Sequence, residues 1–378
     1  MSTSKLDRYS NSSLKSEVFT TSAISQLFRQ RSTATDSSVH TPLSVGQKGV
    51  TPQLDNVAKS QQTGGRKLVK KGDIVINSRS DRRGASGLSD RDGSVSLIYI
   101  VLKPNLEKIN PEFAHYLIRS KGFQEEFYRF GTGIVADLWS TRYERMAQIR
   151  VPLPPLETQQ RIADYLDRET AEIDAAVADL DKYVELMRSR LALFVADALE
   201  KSRHPAVPLY AVASIFAGDG ITAEEIEESG TFPVYGGNGL RGFTEDFNQA
   251  QDRVLVGRQG ALCGNVHLAK GPLFASEHAL VVAPREGINL VWLEHSLRDL
   301  NLRLLSQASA QPGISASEVS RQRIYLPPPD IQHRIAQKIF DEVEKTNHII
   351  SESTQLRDLL LKRRSVLITE VVTGRKQV

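Results

Sequence analysis

Basic and amide side chains cluster in two stretches of this sequence, and their chemistry suits a nucleic acid. Residues 66–91 hold eight Lys or Arg residues against three Asp residues, a local excess of five positive charges. Arg, Asn and Gln can make paired hydrogen bonds to guanine or adenine edges, whereas Lys mainly positions phosphates. An ordinary solvated charged face is the alternative for any one of them. The candidate contacts, in this stretch and in a leaner second one, are Lys70, Lys71, Ser78, Arg79, Arg82, Arg83, Asn238, Arg241, Arg258, Gln259 and Asn265.

Common catalytic motifs are missing. The sequence has no G-x-x-x-x-G-K-[ST] phosphate loop, no H-E-x-x-H metal helix and no G-x-S-x-G nucleophile turn. Cys263, His267 and His278 are spaced too loosely to predict a metal site, and unrelated neighbours are the favoured interpretation. Asp73 and Asp252 each precede a predicted strand, where a turn or capping role is more typical than catalysis. We therefore predict no catalytic residue, no metal site and no cofactor in this chain.

An internal repeat indicates which elements position the candidate side chains. The segment VPLPPLETQQRIA at Val151 returns as IYLPPPDIQHRIA at Ile324, 173 positions later, with seven identities in thirteen positions. Upstream, KKGDIVINSR resembles QAQDRVLVGR, which aligns Arg79 with Arg258. Each copy combines short β-branched runs, bounded by Gly, Asp or Pro, with a long stretch of helical pattern. We therefore predict a tandem of two α+β units, each followed by a long helix.

Two long helices are predicted from the spacing of apolar residues. Residues 157–199 contain no Gly or Pro, and apolar residues recur alternately every four and three positions, the heptad spacing of a coiled coil. The predicted seam of the first helix is Ile173, Val177, Leu180, Val184, Met187, Leu191 and Phe194. Shifted by 173, the second helix offers Leu360, Leu367 and Val371 among polar residues that include Thr346, Ser353, Arg357 and Arg364.

Two alternatives to this seam stay open at the level of sequence. Rotation of the second helix by one position would bring Ile349, Leu356, Leu359 and Val366 to the seam. Each helix would otherwise be an ordinary amphipathic helix packed on its own domain. The length and regularity of the pattern favour the coiled coil.

Composition sets the class of protein and its domain boundaries. With 40% hydrophobic and 25% charged residues, a chain of 378 residues is typical of two to three globular domains. One cysteine, and no apolar run long enough to span a membrane, favour a cytoplasmic protein without a membrane partner. The predicted boundaries are 1–16 for a flexible tail, 17–156 for the first globular domain, 157–203 for the first long helix, 204–329 for the second domain, and 330–378 for the second long helix with a C-terminal tail.

The ordered set of motifs resembles one protein family, the DNA-specificity subunit of type I restriction-modification enzymes. The resemblance rests on the L-P-P-x-x-x-Q-x-R-I-A signature before a heptad helix, its recurrence at Leu326, the G-D-I-V-I-N segment before a G-S-V-S strand, and the ending R-R-S-V-L-I-T-E-V-V-T-G at 363–374. It covers essentially the whole chain after the predicted tail. The sequence departs from the family pattern before the signature glutamine, where Thr158 and Ile331 replace the usual acidic residue.

The resemblance implies a fold and a division of labour. Two target-recognition domains are expected to be joined by two helices that pair as an antiparallel coiled coil, with pseudo-two-fold symmetry. Each domain would read one half of a bipartite double-stranded DNA target, and the helices would recruit two methyltransferase subunits, in a complex that can also contain restriction subunits. S-adenosylmethionine, ATP and Mg²⁺ are expected on those partners. The coiled coil would then set the gap between the half-sites, and the loops the bases that are read.

Two other functions compete with this interpretation. A coiled-coil scaffold without DNA recognition would need the paired helices but not the basic loops. A self-contained methyltransferase or nuclease would need catalytic motifs that the sequence lacks. Salt-dependent binding of duplex DNA by the assembled complex separates the scaffold from the DNA reader, and activity of the chain alone would support the enzyme.

Overall fold

The computed structural model describes residues 14–36, 39–46, 49–53, 65–79, 84–133, 139–199, 204–260, 262–306 and 313–378. The chain divides into two compact units. The first unit is formed by Met1–Asp181 with Thr354–Val378, and the second by Lys182–Ser353. Each long helix therefore contributes one part to each unit. The boundaries expected from the sequence, which treat each long helix as a segment of its own, stay predictions.

The described residues form α-helices and short strands in both units. The helices are α1 Ile24–Leu27, α2 Pro111–Arg119, α3 Lys121–Arg129, α4 Tyr143–Met146, α5 Leu156–Ala198, α6 Leu290–Asp299, α7 Ala316–Ser320 and α8 Pro329–Val372. The strands are β1 Thr21–Ala23, β2 Phe28–Gln30, β3 Ala34–Thr35, β4 Leu43–Gly46, β5 Gly49–Pro52, β6 Arg66–Val69, β7 Ile74–Asn77, β8 Ser86–Leu88, β9 Gly93–Ser96, β10 Tyr99–Pro104, β11 Arg150–Pro152, β12 Ala206–Pro208, β13 Ala213–Ala217, β14 Phe232–Gly236, β15 Gly239–Thr244, β16 Arg253–Gly257, β17 Val266–Ala269, β18 Phe274–Ala275, β19 Ala279–Pro284 and β20 Arg323–Tyr325. Short 3-10 helices lie at Leu209–Ala211, Ala223–Glu225 and Leu302–Leu305.

A four-stranded antiparallel sheet in the order β2-β10-β7-β8 forms the centre of the first unit. Strand β7 is buried on both faces, which suits its β-branched sequence. Ile74 and Ile76 pack in one core with Phe113 of α2, whereas Val75 packs in a second core with Val95. This alternation is the period of two expected for a strand between two packed layers.

The second unit repeats this sheet in the order β13-β19-β16-β17. Val254 and Val256 of β16 pack in a core with Trp292 of α6, whereas Leu255 packs with Val281 on the other face. The other sheets are β1-β11, β3-β6-β9 and β4-β5 in the first unit, and β12-β20 and β15-β14-β18 in the second. The tandem of α+β units predicted from the repeat is confirmed by this common sheet order.

Equivalent backbone hydrogen bonds show which residues of the two sheets correspond. In the first unit the Thr141 amide donates to the Ser78 carbonyl at 3.0 Å, and in the second the Ile314 amide donates to the Arg258 carbonyl at 3.0 Å. Thr141 and Ile314 are themselves related by the repeat offset of 173. Ser78 therefore corresponds to Arg258.

The next residues after these two are Arg79 and Gln259, which makes them structural equivalents. Arg79 forms an isolated bridge to Ser140, and Gln259 forms one to Gly313. Ser140 and Gly313 are also 173 positions apart, and we call the segment around each of them the returning segment of its unit. The alignment of Arg79 with Arg258 suggested by the sequence is therefore wrong by one position. The buried faces decide the register: Ile76 and Val256 both pack under a helix, and a shift by one residue would turn such a side chain to the other face.

The glutamine of the repeated signature ties each long helix to the rest of its unit. Buried Gln159 donates from Nε2 to the Pro154 carbonyl at 2.8 Å and accepts from the Asn110 amide at 2.8 Å. Gln332 makes the same two kinds of hydrogen bond in the second unit, where it accepts from the Asn289 amide. Asn110 and Asn289 are the N-cap residues of α2 and α6. The signature thus fixes the start of one helix against the start of another.

In the first unit, the beginning of α5 packs antiparallel against the end of α8. The Arg364 side chain lies 2.9 Å from Asp174, and Arg357 lies 3.3 Å from Asp181, so residue numbers rise along one helix as they fall along the other. In the second unit, the other ends of the same helices are joined by an ion pair at 3.2 Å between Arg190 and Glu342.

The seam positions expected from the heptad spacing lie at the buried faces of these helices. The buried ones are Ile173, Met187, Leu367 and Val371. The partly buried ones are Val177, Leu180, Val184, Leu191, Phe194 and Leu360. The polar positions of the second helix also turn inward, because Thr346 and Ser353 are buried. The rotated alternative does not hold: Ile349 is partly buried, but Leu356, Leu359 and Val366 are 49%, 62% and 46% exposed.

Leu14, the first residue that the structure describes, is packed in a hydrophobic core. Leu14 has no exposed surface and lies in the core of the first unit with Val371. The end of the predicted tail, 1–16, therefore contributes to the fold, and residues 1–13 lie outside the described residues. In the part of the chain that the structure describes, no helix is long and apolar enough to cross a membrane.

Candidate nucleic-acid interface

In the first unit, Ser78 and Arg79 lie where the central strand β7 ends. The Arg79 amide donates to Asn77 Oδ1 at 3.0 Å, and the bridge to Ser140 holds the backbone from the other side. The Arg79 side chain is exposed and makes no ion pair within the described ranges. An exposed guanidinium on a fixed backbone suits paired hydrogen bonding to a base. Arg82 and Arg83 lie outside the described residues.

Lys70 and Lys71 lie at the opposite end of β7. Lys70 Nζ donates to Asp92 Oδ2 at 2.6 Å, and the Lys71 amide donates to the same carboxylate at 2.9 Å. The four residues of β7 separate these lysines from Arg79 by roughly 13 Å at the usual rise of a strand. The structure therefore does not bring together all the basic residues that the sequence grouped in one cluster.

Two further basic residues of the first stretch are structural. Lys67 Nζ donates to the carbonyls of Leu97 and Tyr99, and burial lowers the pKa of Lys67. The Arg66 guanidinium donates to Ser94, and burial likewise lowers the pKa of Arg66. The local charge excess in the sequence thus overstates the positive charge available to phosphates.

The second unit brings Asn238, Arg258, Gln259 and Asn265 to one end of β16. The hairpin turn that carries Asn238 touches this strand, because a Cβ on Gly257 would collide with the Gly237 carbonyl oxygen. Only glycine permits such an approach. The Gly257 amide also donates to the Asn265 carbonyl at 2.8 Å. Arg241 lies on the neighbouring strand β15, where its aliphatic part packs over Gly236.

His278 and Glu277 also lie at this end of the second unit, although no sequence pattern assigns them to it. His278 Nδ1 lies 3.1 Å from Gln259 Oε1, and its Nε2 lies 3.1 Å from Glu277 Oε1. The Arg258 amide donates to the His278 carbonyl at 2.9 Å. Gln259 and His278 are 19 positions apart on different connections of the sheet, so no local spacing indicates their contact.

The duplicated architecture has a counterpart among known protein families. A family model described as the type I restriction modification DNA specificity domain matches residues 32–178 and again residues 207–356. The chain belongs to this family. The EcoprrI specificity subunit of Escherichia coli is 35% identical over 180 residues, which cover 47% of this chain and 44% of that protein. The Haemophilus influenzae specificity subunit S.HindORF215P is 26% identical over 152 residues, 39% of each chain. The matched segments thus span less than half the length of these curated relatives.

Solved structures from type I restriction-modification systems have the same fold. A chain from a structure of complex assembly and conformational transition of the type I R-M system has a TM-score of 0.76 at 16% identity, over 95% of this chain and 98% of that one. The HsdS subunit from Thermoanaerobacter tengcongensis has a TM-score of 0.51 at 16% identity, over the same shares of the two chains. At this identity the likeness concerns the fold.

The first specificity domain has a small cavity beside Arg79, with a volume of about 30 Å³. Phe123 and Trp139 line it, together with Ser86, whose buried hydroxyl has no hydrogen-bond partner in the described part of the chain. The register of the sheets places Val266 at the corresponding position of the second specificity domain. We call the end of the central strand that carries Arg79 or Gln259 the tip of its domain. The two domains therefore differ in polarity directly beneath their tips.

The segment GNGLRG at 237–242 has the glycine spacing of a dinucleotide-binding turn but not its structure. It lies in the hairpin between β14 and β15, with Gly236 opposite Gly239. A dinucleotide-binding turn runs from a strand into a helix, whose N-terminus holds the phosphates. In this specificity domain Gly237 instead allows the close contact between the hairpin and β16, whereas Gly242 lies against the Glu227 carbonyl.

Other reactive side chains have structural roles. Asp73 accepts hydrogen bonds from Arg31 and from the Lys70 amide, and Asp252 accepts from the Gly271 amide. Cys263 is buried, which raises the pKa of its thiol. No group of three or more His, Cys, Asp or Glu residues is placed to hold a metal ion in the ranges that the structure describes.

Proposed function

We propose that this chain is the non-catalytic DNA-reading subunit of a type I restriction-modification complex. Each specificity domain reads one half of a bipartite double-stranded DNA target, and the long helices recruit two methyltransferase subunits. The complex acts in the cytoplasm and can include restriction subunits. S-adenosylmethionine, ATP and Mg²⁺ bind to the partner subunits.

The observation that supports this proposal is that β7 and β16 end in the same way in the two domains but are followed by different side chains, both of which can form paired hydrogen bonds to a base. Arg79 and Gln259 stand at equivalent positions and are exposed. Their supports are alike, because the sheets have the same strand order and the same returning segment beside the strand. A protein that recognises two different half-sites needs different polar side chains on the same backbone framework.

Methylome sequencing tests the proposal. The chain is co-expressed with its methyltransferase partner in a host that lacks other methylation, and the modified motif is read by single-molecule sequencing. We expect one gapped, asymmetric motif across the genome. Methylation at an ungapped motif, or none when the complex is intact, would contradict the proposal.

Salt dependence separates the DNA reader from the scaffold alternative. Phosphate contacts release counterions, so the affinity of the assembled complex for duplex DNA should fall about 10³-fold or more between 50 and 200 mM salt if six or more phosphates are contacted. A scaffold without DNA recognition would show weak binding with no preference for the methylated motif. Binding of a motif-containing duplex and a scrambled duplex is measured side by side.

Two equivalent apolar stripes on the long helices support the recruitment of two identical partners. Residues at spacings of three and seven share one helix face. On α5 in the second unit, one such face exposes Tyr183, Leu186 and Leu193. The positions shifted by 173, on α8 in the first unit, are Leu356, Leu359 and Val366. Each of these six side chains exposes between 43% and 74% of its surface. A stripe that is duplicated and exposed in both copies fits a partner that binds twice.

Charge substitution in one stripe at a time tests this assignment. Leu186→Glu and Leu359→Glu should each remove one methyltransferase subunit from the co-purified complex, and the double variant should remove both. Native mass spectrometry counts the subunits, with Glu185→Ala and Lys362→Ala as exposed controls on the same helices. Retention of two partners by the double variant would rule out the stripes as docking faces.

The helix pair is proposed to set the gap between the half-sites. One heptad inserted in both helices, after Asp181 and after Ser353, keeps the seam in phase. The methylated motif should then keep its bases and change only its gap. A change in the bases would contradict this division of labour.

A further inference from the structure

The tips of the two specificity domains differ at one structurally equivalent residue. The backbone of Arg79 and the backbone of Gln259 are each held by a bridge to the returning segment, and the residue before each accepts a hydrogen bond from that segment at 3.0 Å. Side chains that leave the same frame at the same point reach the same place relative to their own domain. The difference between these two residues is therefore a difference in chemistry at one position of each half-site.

Gln259 is oriented by a neighbour, which favours a specific contact. His278 Nδ1 lies 3.1 Å from Gln259 Oε1, and Glu277 holds His278 Nε2 at 3.1 Å. Both ring nitrogens of His278 face an oxygen, so both contacts are hydrogen bonds when the ring carries a proton on each nitrogen. Nδ1 then donates to the Gln259 oxygen, and the Nε2 amino group of Gln259 is left to donate outward. The same oxygen keeps a second lone pair for another donor.

We propose that Arg79 reads a guanine in one half-site and that Gln259 reads an adenine at the corresponding position of the other, with His278 and Glu277 as positioning residues for Gln259. This assignment rests on the proposed DNA-reading function. Arg pairs with the O6 and N7 acceptors of guanine, and Gln donates to N7 and accepts from the 6-amino group of adenine. Gln259 offers this donor and acceptor together, because His278 occupies only one lone pair of its oxygen.

Reciprocal substitution is the direct test. Gln259→Arg and Arg79→Gln are made in the co-expressed complex, and the methylated motif of each variant is determined. Gln259→Arg should move one position of one half-site from adenine towards guanine, and Arg79→Gln should move one position of the other half-site from guanine towards adenine. Methylation of targets that carry the original base at that position should fall roughly ten- to hundredfold, as expected for loss of a paired base contact.

Each variant has an internal and a matched control. The half-site that is not altered must still be read, which shows that the subunit is folded and assembled. Gln251→Arg adds the same charge at the opposite end of β16, and Arg91→Gln removes the same charge from a residue paired with Asp90 at 2.7 Å. Neither control should change the motif.

The positioning role of His278 predicts a separate effect. His278→Ala should broaden the preference at the Gln259 position alone, so that targets with adenine and targets with another base at this position are methylated more equally. His278→Asn can donate from its amide to the Gln259 oxygen and should restore the preference. A purely structural role would instead broaden the base preference at every position of the half-site.

Failure of this inference is distinguishable from failure of the proposed function. A gapped motif whose bases do not change in either swap, or that has no adenine and guanine at corresponding positions, would overturn the assignment and leave the DNA-reading function standing. Absence of any gapped motif from the wild-type complex would remove the function on which the assignment rests. Broadening at every position in His278→Ala, without rescue by His278→Asn, would remove the positioning role.

Discussion

The helix that follows the central sheet is held differently in the two units. In the first unit, the Tyr116 hydroxyl of α2 donates to Asp167 at 2.6 Å and lies 3.2 Å from the Thr170 hydroxyl of α5. In the second unit, the corresponding residue of α6 is His295, which borders a cavity of about 760 Å³ together with Val343. The N-caps and the signature glutamines are nevertheless the same in both. The two units thus share the N-cap residues and the glutamines that hold the helix starts, whereas the residues at which α2 and α6 face the long helices differ.

The largest effect on stability is expected at the signature glutamines, Gln159 and Gln332, which make the same hydrogen bonds in the two units. Gln159→Leu or Gln332→Leu leaves a buried amide and at least one carbonyl without partners, which should cost about 2–4 kcal/mol in the free energy of unfolding. Chemical denaturation measures the change, with exposed Gln337→Leu as the control. Equal losses in the two variants would support the common role, and a neutral result in either would break the comparison.

Acid should destabilise the first unit through His115. Burial, and then the nearby Arg119 and Arg364, lower the pKa of His115 from 6.5 to about 4, and Nδ1 accepts a hydrogen bond from the Leu88 amide. The unfolded chain therefore binds a proton between pH 6.5 and 4 that the folded chain does not, so stability falls as the pH falls through this range, by at most about 3 kcal/mol.

The variant His115→Gln isolates this contribution, because glutamine can accept the same hydrogen bond without titrating. The corresponding residue of the second unit is Glu294, which pairs with Arg298 at 2.7 Å. The difference in unfolding free energy between wild type and variant should grow in favour of the variant as the pH falls from 6.5 to 4. A constant difference across this range would contradict the assignment.

The contact between α2 and α5 should contribute less. Tyr116→Phe removes a hydrogen bond to a carboxylate and should cost about 1–2 kcal/mol. Burial and the Asp167 hydrogen bond raise the pKa of Tyr116 to about 12, which keeps the hydroxyl a donor at neutral pH. Tyr210→Phe, at a side chain 57% exposed, is the matched control in thermal unfolding. Equal effects of the two substitutions would show that the hydroxyl contact contributes nothing.

The smallest effect is expected at Ser86. Ser86→Val copies the second unit at this position and removes a buried hydroxyl without a described partner, so stability should stay the same or rise by up to about 1 kcal/mol. Ser94→Val instead removes contacts with Arg66 and His40 and should destabilise. A loss of stability in Ser86→Val similar to that in Ser94→Val would indicate that the hydroxyl has a partner.

Much of the fold follows from pattern alone. The repeat offset, the Gly- and Pro-free helical stretches and the heptad spacing predict two units and two long helices, and every residue of the predicted seam of the first helix is buried or partly buried. The second helix was ambiguous because half of its seam is polar. Arg357 and Arg364 resolve it, since both reach acidic residues on α5 that local spacing does not identify.

The candidate site was less predictable. Clustering in sequence grouped Lys70 with Arg79, but a strand carries residues only a few positions apart to opposite ends of a sheet. The sequence-based list of site residues did not include His278, because its contact with Gln259 depends on two separate connections of the same sheet.

The sequence by itself determined the duplication, the two long helices and the types of side chain that can form paired hydrogen bonds to a base. Repeats and the periods of helices and strands can be read from the local chain. Only the tertiary structure decided which of those side chains share a tip and that Arg79 corresponds to Gln259. The physical reason is that strand register is set by which face is buried, and the approach of two glycines, Gly237 and Gly257, joins segments that no local period connects.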